Sequence, residues 1–371
     1  MRLEVMVKMF GKDYSDATSL VLYYIDDEYR KTRADLLTTI GNKPNIWLKA
    51  VTIARENGLL YYFAKNVLEI GGGLPSSYLK GIVEQEKKGF EKLKNTVTFI
   101  NRFFQDEGLD FMFIKLYRSV PYVPRDVDIL VKKEQNQQLV AALRKRNIAL
   151  KEFYGVEVNI EKEGLLKVDL YQGFYYLSLH FMDDNFLWKN PRAVDICGIK
   201  CSIPSVNADF LSLLLHAILG HRYLSLLDFL YVKSLLRKGV NIDETFYQAQ
   251  KFKWAHGFQT IVSTIQNIQN IYYGLYLKSN KTVSTNFPYA FSTKFIWEAF
   301  QGFPHMKMSS KTKFVFILST LIENAFQKYR LIQRSVPVEM SNEIKDIIMR
   351  GIHKVRSLSG DYKWSYSVTG K

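Results

Sequence analysis

The stretch from Phe111 to Val131, FMFIKLYRSVPYVPRDVDILV, interrupts a chain that otherwise reads as helix, and it fixes the fold class. Phe111 to Ile114 and Val127 to Val131 are apolar runs of strand length, and Leu166 to Leu170 alternates around Asp169. Asn136 to Arg146 has helical spacing, and Ala193 to Ile203 reads as a hairpin around Gly198. Upstream, Trp47, Val51, Ala54, Leu59, Phe63 and Leu68 recur at helical intervals after Pro44, and Gly71, Gly72, Gly73 and Pro75 break the pattern. A long amphipathic helix is expected from Ser76 to Asp106, stopped by Gly108. After Pro204 the strand signals disappear, and Ala208 to Leu236, Thr245 to Tyr276 and Thr312 to Arg334 read as helices. The expected class is α+β. A small mixed-sheet core at 76–204 stands between an N-terminal helical segment at 1–75 and a C-terminal basic helical domain at 205–371.

Composition bounds what such a chain can be. Its 371 residues are enough for two or three domains at roughly 100–200 residues each. With 47% hydrophobic and 14% aromatic residues it is neither disordered nor fibrous. Two cysteines, Cys197 and Cys201, cannot make a disulfide framework and fit a reducing compartment. Met1 to Phe10 lacks a basic start with an apolar h-region, and apolar runs such as Phe314 to Ile322 fall short of the roughly 18 residues of a membrane span. A cytoplasmic protein with no membrane partner is expected. The formal net charge is +15, and it is unevenly placed: residues 205–371 carry 21 Lys plus Arg against 10 Asp plus Glu. Such a surplus draws anionic partners, or serves only as a solvated surface.

Asp126 and Asp128 alternate on the second strand, so their carboxylates share one face. Neighbouring carboxylates repel unless a cation lies between them, and hard divalent ions such as Mg²⁺ prefer carboxylate and phosphate oxygens. Asp169, in Lys167-Val168-Asp169-Leu170-Tyr171, offers a third acid on another strand. Three such acids can hold two metals for an in-line phosphoryl displacement, with Lys115, Arg118 and Arg125 at hand to neutralise a triphosphate. The plainer alternative is an edge strand with solvent-facing acids.

These residues also carry a resemblance. Ile114-Lys115, then Arg125-Asp126-Val127-Asp128-Ile129-Leu130-Val131, then Val168-Asp169-Leu170, follow one another as in the nucleotidyltransferase superfamily with the DNA polymerase β-like fold. Ile203-Pro204-Ser205, His216, His221, Arg222 and Leu226-Leu227-Asp228 continue the likeness to its uncharacterised group with helical flanks, and Ala54 to Leu60 resembles that group's opening helices. The resemblance spans about residues 45–240. It implies transfer of an NMP from an NTP to an acceptor hydroxyl, with Mg²⁺ (or Mn²⁺) held by Asp126, Asp128 and Asp169. Lys115, Arg118, Arg125 and Arg222 would contact the nucleotide, and the acceptor would be RNA, a protein or a small molecule. One departure stands out: Lys115-Leu116 replaces the small Gly-Ser or Gly-Gly pair at the end of the first strand. The alternative is a catalytically degenerate module of the same fold that binds nucleotide or nucleic acid.

Other signals carry less. His216 and His221 lie about 140° apart around a helix and cannot share a metal; His216, among leucines, reads as a hydrogen-bonded core histidine. Arg222 and Asp228 either line a cleft or form a salt bridge that locks their helix to the sheet. Lys307-Met308-Ser309-Ser310-Lys311 resembles a class I aminoacyl-tRNA synthetase loop without the other elements such an enzyme needs.

Overall fold

The computed structural model describes residues 12–146, 148, 150–153, 157–160, 162–176, 179–217, 223–252, 254–273, 300–301 and 306–308. The opening helical pattern resolves into α1 (Lys12–Ile25), α2 (Asp27–Thr32), α3 (Leu36–Ile40), α4 (Pro44–Glu56) and α5 (Leu60–Ile70). Asp26 caps α2 by accepting from the Glu28 and Tyr29 N–H groups, and Pro44 occupies the first turn of α4, where its missing N–H costs nothing. Gly71 ends α5 at φ 93, a backbone state only glycine adopts without strain, and its carbonyl accepts from the Tyr24 hydroxyl at 2.6 Å. Ser76–Asp106 then forms α6, 31 residues long, as its periodicity predicts.

The sheet that follows has five strands in the order β1-β2-β5-β4-β3, where β1 is Phe111–Ile114, β2 Asp126–Val131, β3 Leu150–Phe153, β4 Glu157–Ile160 and β5 Lys167–Tyr171. Only the β2–β5 pair is parallel, so the sheet is mixed. The crossover between β2 and β5 contains α7 (Asn136–Lys145), which parallel pairing requires. Two-residue strands β6 (Tyr175–Tyr176) and β7 (Leu179–His180) and a short α8 (Asp184–Trp188) lead to a hairpin of β8 (Arg192–Ile196) and β9 (Ile199–Ile203). Cys197 and Gly198 turn that hairpin with φ 55 and 82, the doubly left-handed geometry of a two-residue hairpin loop.

Each face of the sheet has its own core. Val127, Ile129, Val168 and Leu170 pack with Leu93, Val97 and Ile100 of α6 and Leu139 and Leu143 of α7. Met112, Ile114 and Leu130 join a larger core with the N-terminal helices, α9 (Val206–Leu215), α10 (Leu226–Arg237) and α12 (Ala255–Tyr273). Burying side chains such as Phe63, Phe113 or Phe210 contributes roughly 1.5–3 kcal/mol each.

Three expectations are corrected. The span from Ala208 to Leu236 is not one helix: α9 ends at Leu215, and β10 (Tyr223–Leu224) precedes α10. Strands do follow Pro204, for β10 pairs with β12 (Met306–Met308), which pairs with β11 (Phe300–Gln301); pieces this short leave no period to read. Thr245 to Tyr276 divides into α11 (Ile242–Lys251) and α12, with Trp254 between them buried and its indole donating to the Phe181 carbonyl. The Thr312 to Arg334 expectation lies outside the described residues, as does Ser309-Ser310-Lys311, whereas Lys307 and Met308 sit on β12. No helix among the described residues is long and apolar enough to cross a membrane.

Candidate active site

The alternation of β2 decides the geometry. Val127 and Ile129 are buried in the core shared with α6 and α7, which turns Asp126 and Asp128 to the opposite face. Parallel pairing with β5 sets Asp128 beside Asp169 and Asp126 beside Lys167. The three acids therefore occupy one face of two adjacent strands, and Asp128 and Asp169 are register partners. Antiparallel pairing with β1 puts Ile114 against Asp128, which delivers the next residue, Lys115, to the same place.

Lys115 is the centre of the arrangement. Its side chain is 4% exposed, and Nζ lies 2.8 Å from Asp128 Oδ2, 3.1 Å from His216 Nδ1 and 4.7 Å from the Tyr171 ring centroid. Its backbone is left-handed at φ 59, a state that costs a non-glycine residue of order 1–3 kcal/mol and persists only where neighbours impose it. Tyr122 is such a neighbour, its hydroxyl donating to the Lys115 carbonyl at 3.1 Å. Leu116, the residue in place of the usual small one, is buried in the core with Val127 and Ile129, behind the acids.

Asp169 is the most buried of the acids. Lys167 Nζ lies 2.9 Å from Oδ1 and donates to Oδ2 at 3.2 Å, so one ammonium serves both oxygens. Burial holds its carboxyl above the usual carboxylate range against the opposing pull of Lys167, and the charges of Asp128 and Asp126 push the same way.

The remaining basic residues diverge. Arg118 turns away from the acids into the protein: its side chain is 6% exposed, Nη2 donates to Asp228 Oδ1 at 3.3 Å, and the guanidinium lies 4.9 Å from the Tyr231 ring centroid. Asp228 in turn forms a capping box with Ser225 at the start of α10. This is a salt bridge from the loop before β2 to the helix. Arg125 is exposed directly before Asp126. Arg222 and His221 lie outside the described residues. His216, read from sequence as a core histidine, is hydrogen-bonded, but its partner is the site lysine, a contact across 101 residues that spacing cannot announce. The Ser225-x-x-Asp228 spacing is the local signal of this helix start.

Among the described residues no group of three or more His, Cys, Asp or Glu side chains is arranged to hold a metal ion. The donor chemistry nonetheless suits a hard divalent cation: carboxylates from adjacent strands share a face, and such ions prefer carboxylate oxygens. In this state lysine ammoniums supply the counter-charge, Lys115 at Asp128 and Lys167 at Asp169.

A mixed-sheet α+β core with paired acids on neighbouring strands and helices before and after it defines a nucleotidyltransferase-like protein. Residues 43–270 match the family model described as "Uncharacterised nucleotidyltransferase", and the chain belongs to that family. Among solved structures, the lincomycin-bound lincosamide antibiotic adenylyltransferase LnuA aligns at 14% identity and TM-score 0.28, covering 40% of this chain and 97% of that one. The antibiotic-resistance factor ANT(2'')-Ia aligns at 10% identity and TM-score 0.32, over 47% of this chain and 96% of that one. No curated protein matches.

Proposed function

We propose that this protein transfers a nucleoside monophosphate from an NTP to an acceptor hydroxyl and releases pyrophosphate. The observation that carries the reading is the parallel register of β2 and β5, which sets Asp128 against Asp169 with Asp126 on the same face. Asp126, Asp128 and Asp169 would hold Mg²⁺, with Mn²⁺ as a substitute; such an ion neutralises phosphate oxygens and favours in-line displacement. The chain's own residues supply the rest. Asp169, its carboxyl raised by burial, accepts the proton of the acceptor hydroxyl. The acceptor oxygen bonds to the α-phosphorus as the bridge to the β-phosphate breaks. Lys115 and the exposed Arg125 offset charge on the phosphates, and Arg118 holds the loop that carries them.

The acceptor classes in view are RNA, a protein side chain and a small molecule. The basic surplus of residues 205–371 favours an anionic acceptor, so RNA is the first to test. Two measurements test the reading. Calorimetric titration of NTPs should show binding that needs Mg²⁺ and is lost in the Asp126→Ala, Asp128→Ala double variant. Incubation with NTPs labelled at the α-phosphate and fractionated cell extract should label one acceptor class. Metal-independent binding untouched by the double variant, without label transfer, would establish the degenerate binding module instead.

A further inference from the structure

We infer that Lys115 is a built-in counter-cation that makes metal and nucleotide bind as a pair: its ammonium is parked on Asp128 and His216 and opposes a divalent ion at that carboxylate until a nucleotide draws it away. The inference rests on the metal-dependent reading above and deepens it.

Lys115 Nζ sits 2.8 Å from Asp128 Oδ2, so a metal that takes this carboxylate meets an ammonium already held there. An ammonium left beside a newly bound divalent cation is repelled by it, so metal alone binds against its own site. The backbone of Lys115 is fixed, left-handed and tied through its carbonyl to Tyr122, and Leu116 is anchored in the core behind. What can move is the flexible four-carbon stem, whose ammonium needs a new anionic partner when it leaves. A nucleotide triphosphate in the site is such a partner, bringing oxygens for the ammonium and for the metal together. His216 Nδ1, 3.1 Å from Nζ, and the Tyr171 ring define the parked position and let the ammonium rest in a buried place. With a buried leucine where backbone usually approaches phosphate, the mobile contact falls to the lysine side chain.

Linkage makes the effect reciprocal: a nucleotide that tightens metal binding must be tightened by metal to the same factor. The test is Mn²⁺ binding to the full chain, read from the free-ion paramagnetic resonance signal, with and without an ATP analogue whose α,β-bridge cannot be cleaved. Wild-type protein is expected to bind Mn²⁺ weakly alone and about 5–150-fold more tightly with the analogue, the usual range of such couplings. Lys115→Met should raise affinity for Mn²⁺ alone, weaken the analogue and lower the coupling factor below that of wild type. His216→Ala, which loosens the ammonium without removing it, should shift Mn²⁺ affinity in the same direction by a smaller factor, and it decides the matter if Lys115→Met does not fold. Equal Mn²⁺ affinity with and without the analogue in wild type, or unchanged Mn²⁺ binding in the folded variants, overturns the inference alone. Absence of Mn²⁺ binding under every condition overturns the metal-dependent reading and the inference with it.

Discussion

Arg118, expected from sequence to meet the phosphates, is paired inside the protein with an acid of a distant helix. From sequence it belonged to the phosphates, because it lies between Lys115 and the Asp126-Asp128 strand. In the fold its charge is buried against Asp228, 110 residues away, with Tyr231 and Tyr122 beside it. Removing one member of a buried ion pair leaves the other uncompensated, so Arg118→Ala should cost about 3–5 kcal/mol, read as a lower urea midpoint. The Asp126–Asp128 pair was legible because strand alternation is a local rule: a period of two puts the two on one face whatever surrounds them. Partners such as His216 for Lys115 were not, since their meeting depends on how α9 packs over the sheet.

Elements were legible where a period ran long enough. The 31 residues of α6, the strands β1, β2 and β5 and the β8–β9 hairpin all follow from spacing and turn residues. The β3–β4 hairpin was missed, because Leu150–Phe153 and Glu157–Ile160 mix charged and apolar residues too briefly to stand out from the surrounding polar sequence. Close approach between elements was equally silent. Gly89 lies in the middle of α6, where a glycine to alanine change ordinarily stabilises a helix by up to about 1 kcal/mol. Here an added Cβ would come 2.5 Å from Val123 Cγ1, in the loop that delivers β2. Gly89→Ala should therefore destabilise the protein, and Val123→Ala in the same chain should recover part of the loss in a double-mutant cycle. At the start of α10, Ser225→Ala removes the capping box and should cost roughly 0.5–2 kcal/mol, visible as a fall in the thermal midpoint.

Across the whole molecule the flanking helices act as one support for the sheet. Residues of α1, α4 and α5 share a core with α9, α10 and α12, although more than 130 residues separate the two groups in sequence. A buried charge cluster ties them. Lys233 of α10 donates to Asp26 at 2.7 Å and meets Glu28 at 2.5 Å, its ammonium lies over the Tyr273 ring of α12, and the Tyr273 hydroxyl donates to Asp26. Arg237 completes the set on Glu28. Burial alone would push the Asp26 carboxyl up, but the Lys233 and Tyr273 hydrogen bonds and the Lys233 charge together hold it below the usual range. A carboxyl depressed in the folded state stabilises the fold at every pH above its unfolded value, about 3.9, and that contribution drains away as pH falls towards the folded value. Urea midpoints measured from pH 6 down to pH 2 should thus decline more steeply in wild type than in Asp26→Asn, which starts less stable and has no such charge to lose. Parallel curves would show that the cluster does not couple the helices before the sheet to those after it, and the shared core alone would then hold the two groups together.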